Sequence, residues 1–179
     1  MPSFPHVLGV VAEAYSTRRD DISQSVEQIT SVLRTAGKFA QSLEPLTTNL
    51  LSQAYNVLEE SFDPEHGGLG TAPTFPQPMA LEFLLRHHHR TKDPQALGMF
   101  ETTLERMARG GIYDHLGGGF HRYSADQFLR VPHFEKMLYD NALLLSVHGL
   151  ALRMGVGEAD MHERVIDLTL GWLQREMLD

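Results

Sequence analysis

Cysteine is absent from the 179 residues. Its absence excludes disulfide bonds, thiolate metal ligands and thiol nucleophiles together. A closed structural zinc site would then need four converging histidine or carboxylate ligands. The run His87, His88 and His89 does not supply them, because successive side chains on a helix point about 100° apart. We therefore expect no metal ion and no cofactor.

Positive charge is also scarce, with 15 Lys and Arg against 23 Asp and Glu and a formal net charge of −8. This balance repels a phosphate backbone, so we expect no nucleic-acid partner. No run approaches the roughly 20 apolar residues that span a bilayer, and residues 1–9 lack the basic region of a signal peptide. The sequence therefore predicts a soluble, cytoplasmic protein without a membrane partner.

Apolar residues recur at helical spacing through most of the chain. The spacing predicts a helix over about 4–16, one following Asp20 and Asp21 as caps, and five more near 45–60, 78–91, 94–109, 134–154 and 158–177. Asp93 and Pro94 have the residue types of a helix start. One short hairpin is expected, pairing 120–123 with 130–134. The pattern predicts an all-α fold, and the helix pairs share no fixed-period motif that would indicate a short solenoid repeat.

The connections between the last five helices alternate in length. Residues 61–77 (the first long loop) and 110–133 (the second long loop) are long, whereas 92–93 and 155–157 are tight. Helices joined by tight links run antiparallel, so both long loops must emerge at the same end of the array. Loops longer than about 12–15 residues in a compact domain are usually functional or disordered, and the aromatic content of these two argues against disorder. One face is therefore expected to carry the function.

The second long loop and the helix start that follows it concentrate chemistry-bearing side chains: Asp114, His115, His121, Arg122, Tyr123, Asp126, Arg130, His133, Glu135 and Asp140. Histidines and carboxylates suit proton transfer, and aromatic faces beside polar groups suit sugar recognition. Structural alternatives remain open. His133 and Glu135 could cap the next helix, and Lys136 with Asp140 could be an i,i+4 surface pair. The first long loop could be only a rigid glycine- and proline-rich support. Mid-helix His148 is expected to be a hydrogen-bonded core residue.

Three segments, FDPEHGGLGTAPTFPQP, GGIYDHLGGGFHRYS and VPHFEKMLYDNALL, resemble the thioredoxin-domain-containing spermatogenesis-associated protein family. The resemblance implies that residues 1–38 are a helical linker following a thioredoxin-like domain not contained in this sequence. It implies that residues 39–179 are the first helical hairpins of an α/α toroid similar to six-hairpin glycosidases and sugar epimerases. Two positions depart from the family strings, with Thr74 in place of Lys and Leu129 in place of Trp. The second departure would weaken a stacking platform in that loop.

The resemblance implies a carbohydrate-active or carbohydrate-binding protein, an epimerase, isomerase or glycoside hydrolase in its complete form. No catalytic role is transferred to a residue of this chain. A sugar ligand is expected to contact seven residues of the second long loop and the segment after it: Tyr113, Asp114, His121, Arg122, Tyr123, His133 and Glu135. The alternative is a non-enzymatic interaction module, or a scaffold for a thioredoxin-like redox domain. An incomplete toroid would expose apolar helix flanks, so we also expect self-association.

Overall fold

The computed structural model describes residues 2–37 and 45–178. Over these ranges the chain forms seven helices and a two-stranded antiparallel sheet, which confirms the all-α prediction with one short hairpin. The elements are α1 (Phe4–Thr17), α2 (Arg19–Ala36), α3 (Asn49–Ser61), α4 (Pro78–Thr91), α5 (Pro94–Arg109), β1 (Tyr123–Ser124), β2 (Pro132–His133), α6 (Leu138–Met154) and α7 (Ala159–Glu176).

The described residues divide into two units between Leu46 and Thr47. The predicted linker boundary between residues 38 and 39 lies outside the described residues. In the first unit α1 packs against α2, and neither helix contains a buried residue. Arg18 is the N-cap of α2, so Asp20 and Asp21 lie in its first turn and are not caps as predicted. Their charges still suit the positive end of the helix dipole.

The second unit is built on the pairs α4–α5, α4–α6 and α6–α7, with α3 against α4. The tight turn into α5 follows the prediction, because Asp93 accepts a hydrogen bond from the backbone N–H of Gln95 at 2.9 Å and Pro94 is the first helical residue. At the other tight turn, α6 ends at Gly155 in the left-handed conformation (φ 65°). The fully buried side chains of the second unit include Leu84, Phe100 and Leu144.

The two long loops meet. They occupy residues 62–77 and 110–137 in the structure. The backbone N–H of Thr74 donates to the carbonyl of Ser124 at 2.8 Å, and the N–H of Ser124 donates back at 2.9 Å. This confirms the inference, drawn from the alternation of link lengths, that both loops share one face.

Two helix starts and the hairpin differ from the predictions. α3 begins at Asn49 and not near residue 45, and α6 begins at Leu138 and not at residue 134. Residues before α6 stay extended because the carbonyl of Glu135 accepts a hydrogen bond from the N–H of Arg122 at 2.7 Å. The hairpin is shorter than predicted because the N–H of His121 donates to the carbonyl of Ile112 at 2.8 Å and so pairs elsewhere.

None of the helices within the described ranges combines the length and apolar character that crossing a membrane requires.

Candidate functional site

The first long loop begins with a closed turn of eight residues, 62–69. The Asp63 carboxylate accepts hydrogen bonds from the backbone N–H groups two and three residues later, at 2.9 and 3.0 Å. The backbones of Phe62 and Leu69 pair across the base of the turn. Gly67 has φ 73°, and a Cβ there would lie 3.0 Å from the Cα of Thr103 in α5. The start of the first long loop is therefore closely packed onto α5. The alternative that the whole loop is only a support stays a prediction.

The second long loop contains the same turn at residues 113–120. Asp114 accepts from the N–H groups two and three residues later, at 3.0 and 2.9 Å. Tyr113 pairs with Phe120 across the base. Gly118 has φ 78°, and a Cβ there would overlap the carbonyl oxygen of Leu168 in α7. Each turn is therefore anchored by an aspartate and packs through a glycine onto the second helix after it. The first turn, which follows α3, packs on α5, and the second turn, which follows α5, packs on α7.

Corresponding residues of the two turns are 51 positions apart in the sequence. Each turn contacts the tenth residue of its helix, Thr103 in α5 and Leu168 in α7. This repeat is not among the features predicted from the sequence. Its signal is an aromatic residue followed by aspartate, then two glycines and an apolar residue, at one constant offset. The helical hairpins of the second unit therefore repeat a local structure as well as an order of elements.

Three rings form a row where the two long loops meet, and we call it the aromatic row: Phe75, Tyr123 and His133. The Phe75 and Tyr123 centroids are 5.0 Å apart, and Tyr123 stacks on His133 at 4.8 Å with an interplanar angle of 21°. Phe75 is 43% exposed. Phe75 is not among the predicted site residues, although its place on the first long loop and the shared face of the two loops indicate it.

An ion pair lies beside the aromatic row. Arg122 Nη1 is 2.9 Å from Glu135 Oε2, and the Nδ1 of His133 is 3.9 Å from the same oxygen. The Arg122 and Glu135 side chains are 41% and 44% exposed. The structure thus brings together four of the seven predicted site residues, Tyr123 included, on one accessible surface.

Asp114 has a structural partner. Lys136 Nζ lies 2.7 Å from its Oδ2 and donates to the carbonyl of Gly118 at 2.6 Å. The alternative of a Lys136–Asp140 surface pair is therefore wrong, because the lysine reaches back to the turn. Burial disfavours the charged form of Asp114, but the backbone N–H groups of the turn and the Lys136 ammonium outweigh it and hold its pKa below the usual range.

His121 and Tyr113 lie behind this surface. His121 is 7% exposed, and its ring meets Phe134 edge-on at 5.3 Å. Burial and the nearby Lys136 charge lower the pKa of His121, and Asp114 opposes the shift. Tyr113 is 1% exposed and packs on Phe120 at 4.8 Å. Both residues contribute to the loop core in this conformation, and contact with a sugar stays a prediction for them.

The two departures from the family strings are both buried. Thr74 is 5% exposed and forms the backbone bridge to Ser124. Leu129 is 1% exposed and adopts a left-handed conformation with φ 58°. Position 129 therefore belongs to the core in this chain, and its effect on a stacking platform in the loop stays a prediction. The exposed rings of this loop lie on other residues.

Comparison with curated proteins gives several relatives. The chain is 36% identical to human spermatogenesis-associated protein 20 over 162 residues, which is 87% of this chain and 21% of the human protein. It is 35% identical to the mouse protein of the same name over the same share of the chain and 20% of that protein. The chain belongs to the spermatogenesis-associated protein 20 family. An uncharacterized Caenorhabditis elegans protein is 32% identical over 98% of the chain and 24% of its own length.

The region that the chain shares with this family is about a fifth of the length of the named relatives. No protein-family model matches the chain. The similarity therefore concerns the fold and loops of this region, and not the remaining four fifths of the relatives.

A buried histidine pair joins α6 to α7 in this family member. His148 Nδ1 is 2.8 Å from His162 Nδ1, and His162 Nε2 is 3.1 Å from the carbonyl oxygen of Val156. A carbonyl only accepts, so His162 carries its proton on Nε2 and accepts from the Nδ1–H of His148. The prediction that His148 is a hydrogen-bonded core residue is confirmed. Burial, with a smaller contribution from His162, lowers the pKa of His148 to about 3.

The histidine pair predicts acid sensitivity. The pKa of His162 is also lowered, mainly by burial. Both groups bind protons more weakly in the folded chain than in the unfolded chain, where histidine has a pKa near 6.5. Stability is therefore full above about pH 7 and falls as the pH drops below the unfolded pKa, by about 1.4 kcal/mol per pH unit for His148 down to its folded pKa of about 3. His162 adds to the loss in the same direction. Urea unfolding at pH 7.5, 5.5 and 4.5 measures this slope.

A matched pair of variants isolates the contribution of the buried ring. In His148→Leu the free energy of unfolding should change with pH by about 1.4 kcal/mol per pH unit less than in the wild type, because one titrating group is gone. Exposed His89→Gln should keep the wild-type pH dependence. Equal slopes in the two variants would contradict the assignment of acid sensitivity to the pair.

Proposed function

We propose that the two long loops form a carbohydrate-binding face, and that the chain forms part of an α/α toroid. The observation that carries the binding proposal is the aromatic row, with its rings at 5.0 and 4.8 Å. An exposed aromatic face buries the apolar C–H face of a sugar ring. The adjacent Arg122 and Glu135 supply a forked donor and an acceptor for hydroxyl groups.

The toroid proposal is supported by the repeated turn. A closed ring of helical hairpins needs each hairpin to meet the next in the same way. The turns around Asp63 and Asp114 do this, since both pack through glycine onto the tenth residue of α5 and α7 respectively. Such rings place their inter-hairpin loops at one end, where this chain has its aromatic row.

The proposal for this chain is binding, and any epimerisation or glycoside hydrolysis is proposed only for the complete protein. Proton transfer at a sugar carbon requires a group with suitable pKa within hydrogen-bond reach of the reacting atom. The exposed histidine of the row, His133, has a carboxylate of Glu135 at 3.9 Å. Orientation of a bound sugar is the function that this pairing supports.

Ring removal tests the proposal. Neutral mono- and disaccharides (glucose, mannose, cellobiose) are titrated calorimetrically into the wild-type chain. For the sugar that binds, Tyr123→Ala is expected to weaken affinity about five- to tenfold because the stacking surface is lost. Tyr123→Phe keeps the ring and should bind within about twofold of the wild type. Exposed Phe4→Ala, which lies in α1, should have no effect.

Two results would count against the carbohydrate proposal. The first is the absence of heat from every sugar at millimolar concentration. The second is unchanged affinity in Tyr123→Ala.

The second candidate is an interaction module, for which a second copy of this chain is the proposed partner. Exposed apolar side chains favour it, with Leu116 at 97%, Phe134 at 84% and Leu138 at 53% exposure around the same loops. Clusters of such side chains commonly mark protein contacts. Self-association would explain them, and light scattering over a concentration series distinguishes it from a monomeric sugar-binding chain.

A further inference from the structure

A basic pocket of about 280 Å³ lies between the two long loops and the end of α5. We define it by five side chains: His66 from the first long loop, Arg106 and Arg109 from α5, and Phe128 and Arg130 from the second long loop. It shares no residue with the aromatic row or with the Arg122–Glu135 pair. Three arginines around one cavity are unexpected in a chain whose formal net charge is −8.

Two of the three guanidinium groups lack a compensating charge. Arg109 is held by Glu105 at 3.0 Å and by Glu158 at 2.8 Å. In the part of the chain that the structure describes, the guanidinium nitrogens of Arg106 and Arg130 have no carboxylate oxygen within 4.0 Å. Arginine at the C-terminal turn of a helix complements the helix dipole, which accounts for Arg106. It does not account for Arg130, which reaches the same cavity from a loop.

The backbone of the second long loop fixes Arg130 at this place. Asp126 accepts hydrogen bonds from the N–H of Phe128 at 2.8 Å and of Arg130 at 3.2 Å. A Cβ on Gly111 would overlap the carbonyl oxygen of Arg130, so the loop runs directly against the end of α5. Leu129, between Phe128 and Arg130, has a left-handed backbone conformation and a buried side chain. Strained backbone of this kind persists where the surrounding contacts over-determine it.

Aromatic contacts fix the side chains as well. The Phe128 ring meets His66 edge-on at 4.7 Å. The Arg130 guanidinium carbon lies 5.5 Å from the centre of the same ring. These contacts hold the cavity wall in place, and a preorganised wall lowers the entropic cost of binding a ligand.

We propose that the basic pocket binds an oxyanion, the phosphate or carboxylate group of a small ligand, through Arg106 and Arg130. The planar guanidinium fork matches the geometry of both anions and forms charge-assisted hydrogen bonds with them. The inference is independent of the carbohydrate proposal because the two sites have no residue in common.

The test is a titration of the 179-residue chain with inorganic phosphate, and separately with succinate, at constant ionic strength and pH 7.5. Binding is followed by calorimetry and by NMR shifts of the arginine Nε–H groups. We expect saturable binding of at least one anion with a dissociation constant of about 1 mM or below. Arg106→Gln and Arg130→Gln should each weaken it about tenfold, because each removes one charge-assisted contact.

The matched control is Arg86→Gln, which removes one positive charge from an exposed helical pair with Glu82. Its affinity should equal that of the wild type, and circular dichroism should show all three variants folded. Preference for phosphate or for succinate would identify the source of the oxyanion. Absence of saturation by both anions, or equal weakening by all three variants, would overturn the proposal. Sugar titrations of the same variants show separately whether the aromatic row still functions.

Discussion

Gly118→Ala is expected to cost at least about 3 kcal/mol of the free energy of unfolding. The residue has φ 78°, and an added Cβ would overlap the carbonyl oxygen of Leu168. Because that oxygen belongs to the backbone of α7, the clash can be relieved only by moving the turn or the helix. Urea denaturation with detection by circular dichroism measures the loss.

Gly98→Ala is the matched control. Gly98 lies within α5, and a Cβ there would meet nothing within 4 Å. Alanine at an open helical position should be neutral or stabilise by about 0.5–1 kcal/mol. If the two variants have similar stability, the close packing of the second turn onto α7 is wrong.

Asn141→Ala is expected to lose about 3 kcal/mol. Asn141 has no exposed surface, and its side-chain oxygen accepts from the N–H of Phe120 at 2.6 Å. Its amide donates to the carbonyls of Phe120 at 3.0 Å and Met137 at 2.9 Å. Alanine would leave the buried polar groups of Phe120 unpaired, and each such group costs about 1–3 kcal/mol.

Exposed Asn56→Ala in α3 is the control for this change, since it removes the same group from a helix surface. Its free energy of unfolding should stay within about 0.5 kcal/mol of the wild type. Thermal and urea unfolding of both variants provide the comparison. A loss below 1 kcal/mol in Asn141→Ala would show that this side chain does not hold the second long loop onto α6.

The sequence predicts the helices well because their signals are local. Asp93 and Pro94 start α5, and Gly155 ends α6, each by a contact or conformation within a few residues. The shared face of the long loops follows from link lengths alone, because antiparallel neighbours leave little choice of direction. These features depend on order and spacing, which a single sequence contains.

The site was only partly predictable because its contacts are distant in sequence. An i,i+4 pair of Lys136 with Asp140 was one alternative that the spacing offered, but Lys136 reaches Asp114, 22 residues earlier. Phe75 meets Tyr123 across two separate loops. Helical and strand periodicity say nothing about such contacts. The extended backbone before α6 likewise depends on hydrogen bonds from Arg122 to Glu135, which lies 13 residues later.

The most direct test of a shared binding face is an amide NMR titration of the chain with the sugar that binds it in calorimetry. If the two long loops form one binding face, resonances in both loops should shift together with one dissociation constant, with Phe75 and Tyr123 among those most affected. Shifts confined to one loop, or spread over α1 and α2 instead, would contradict a binding face built jointly by the two loops.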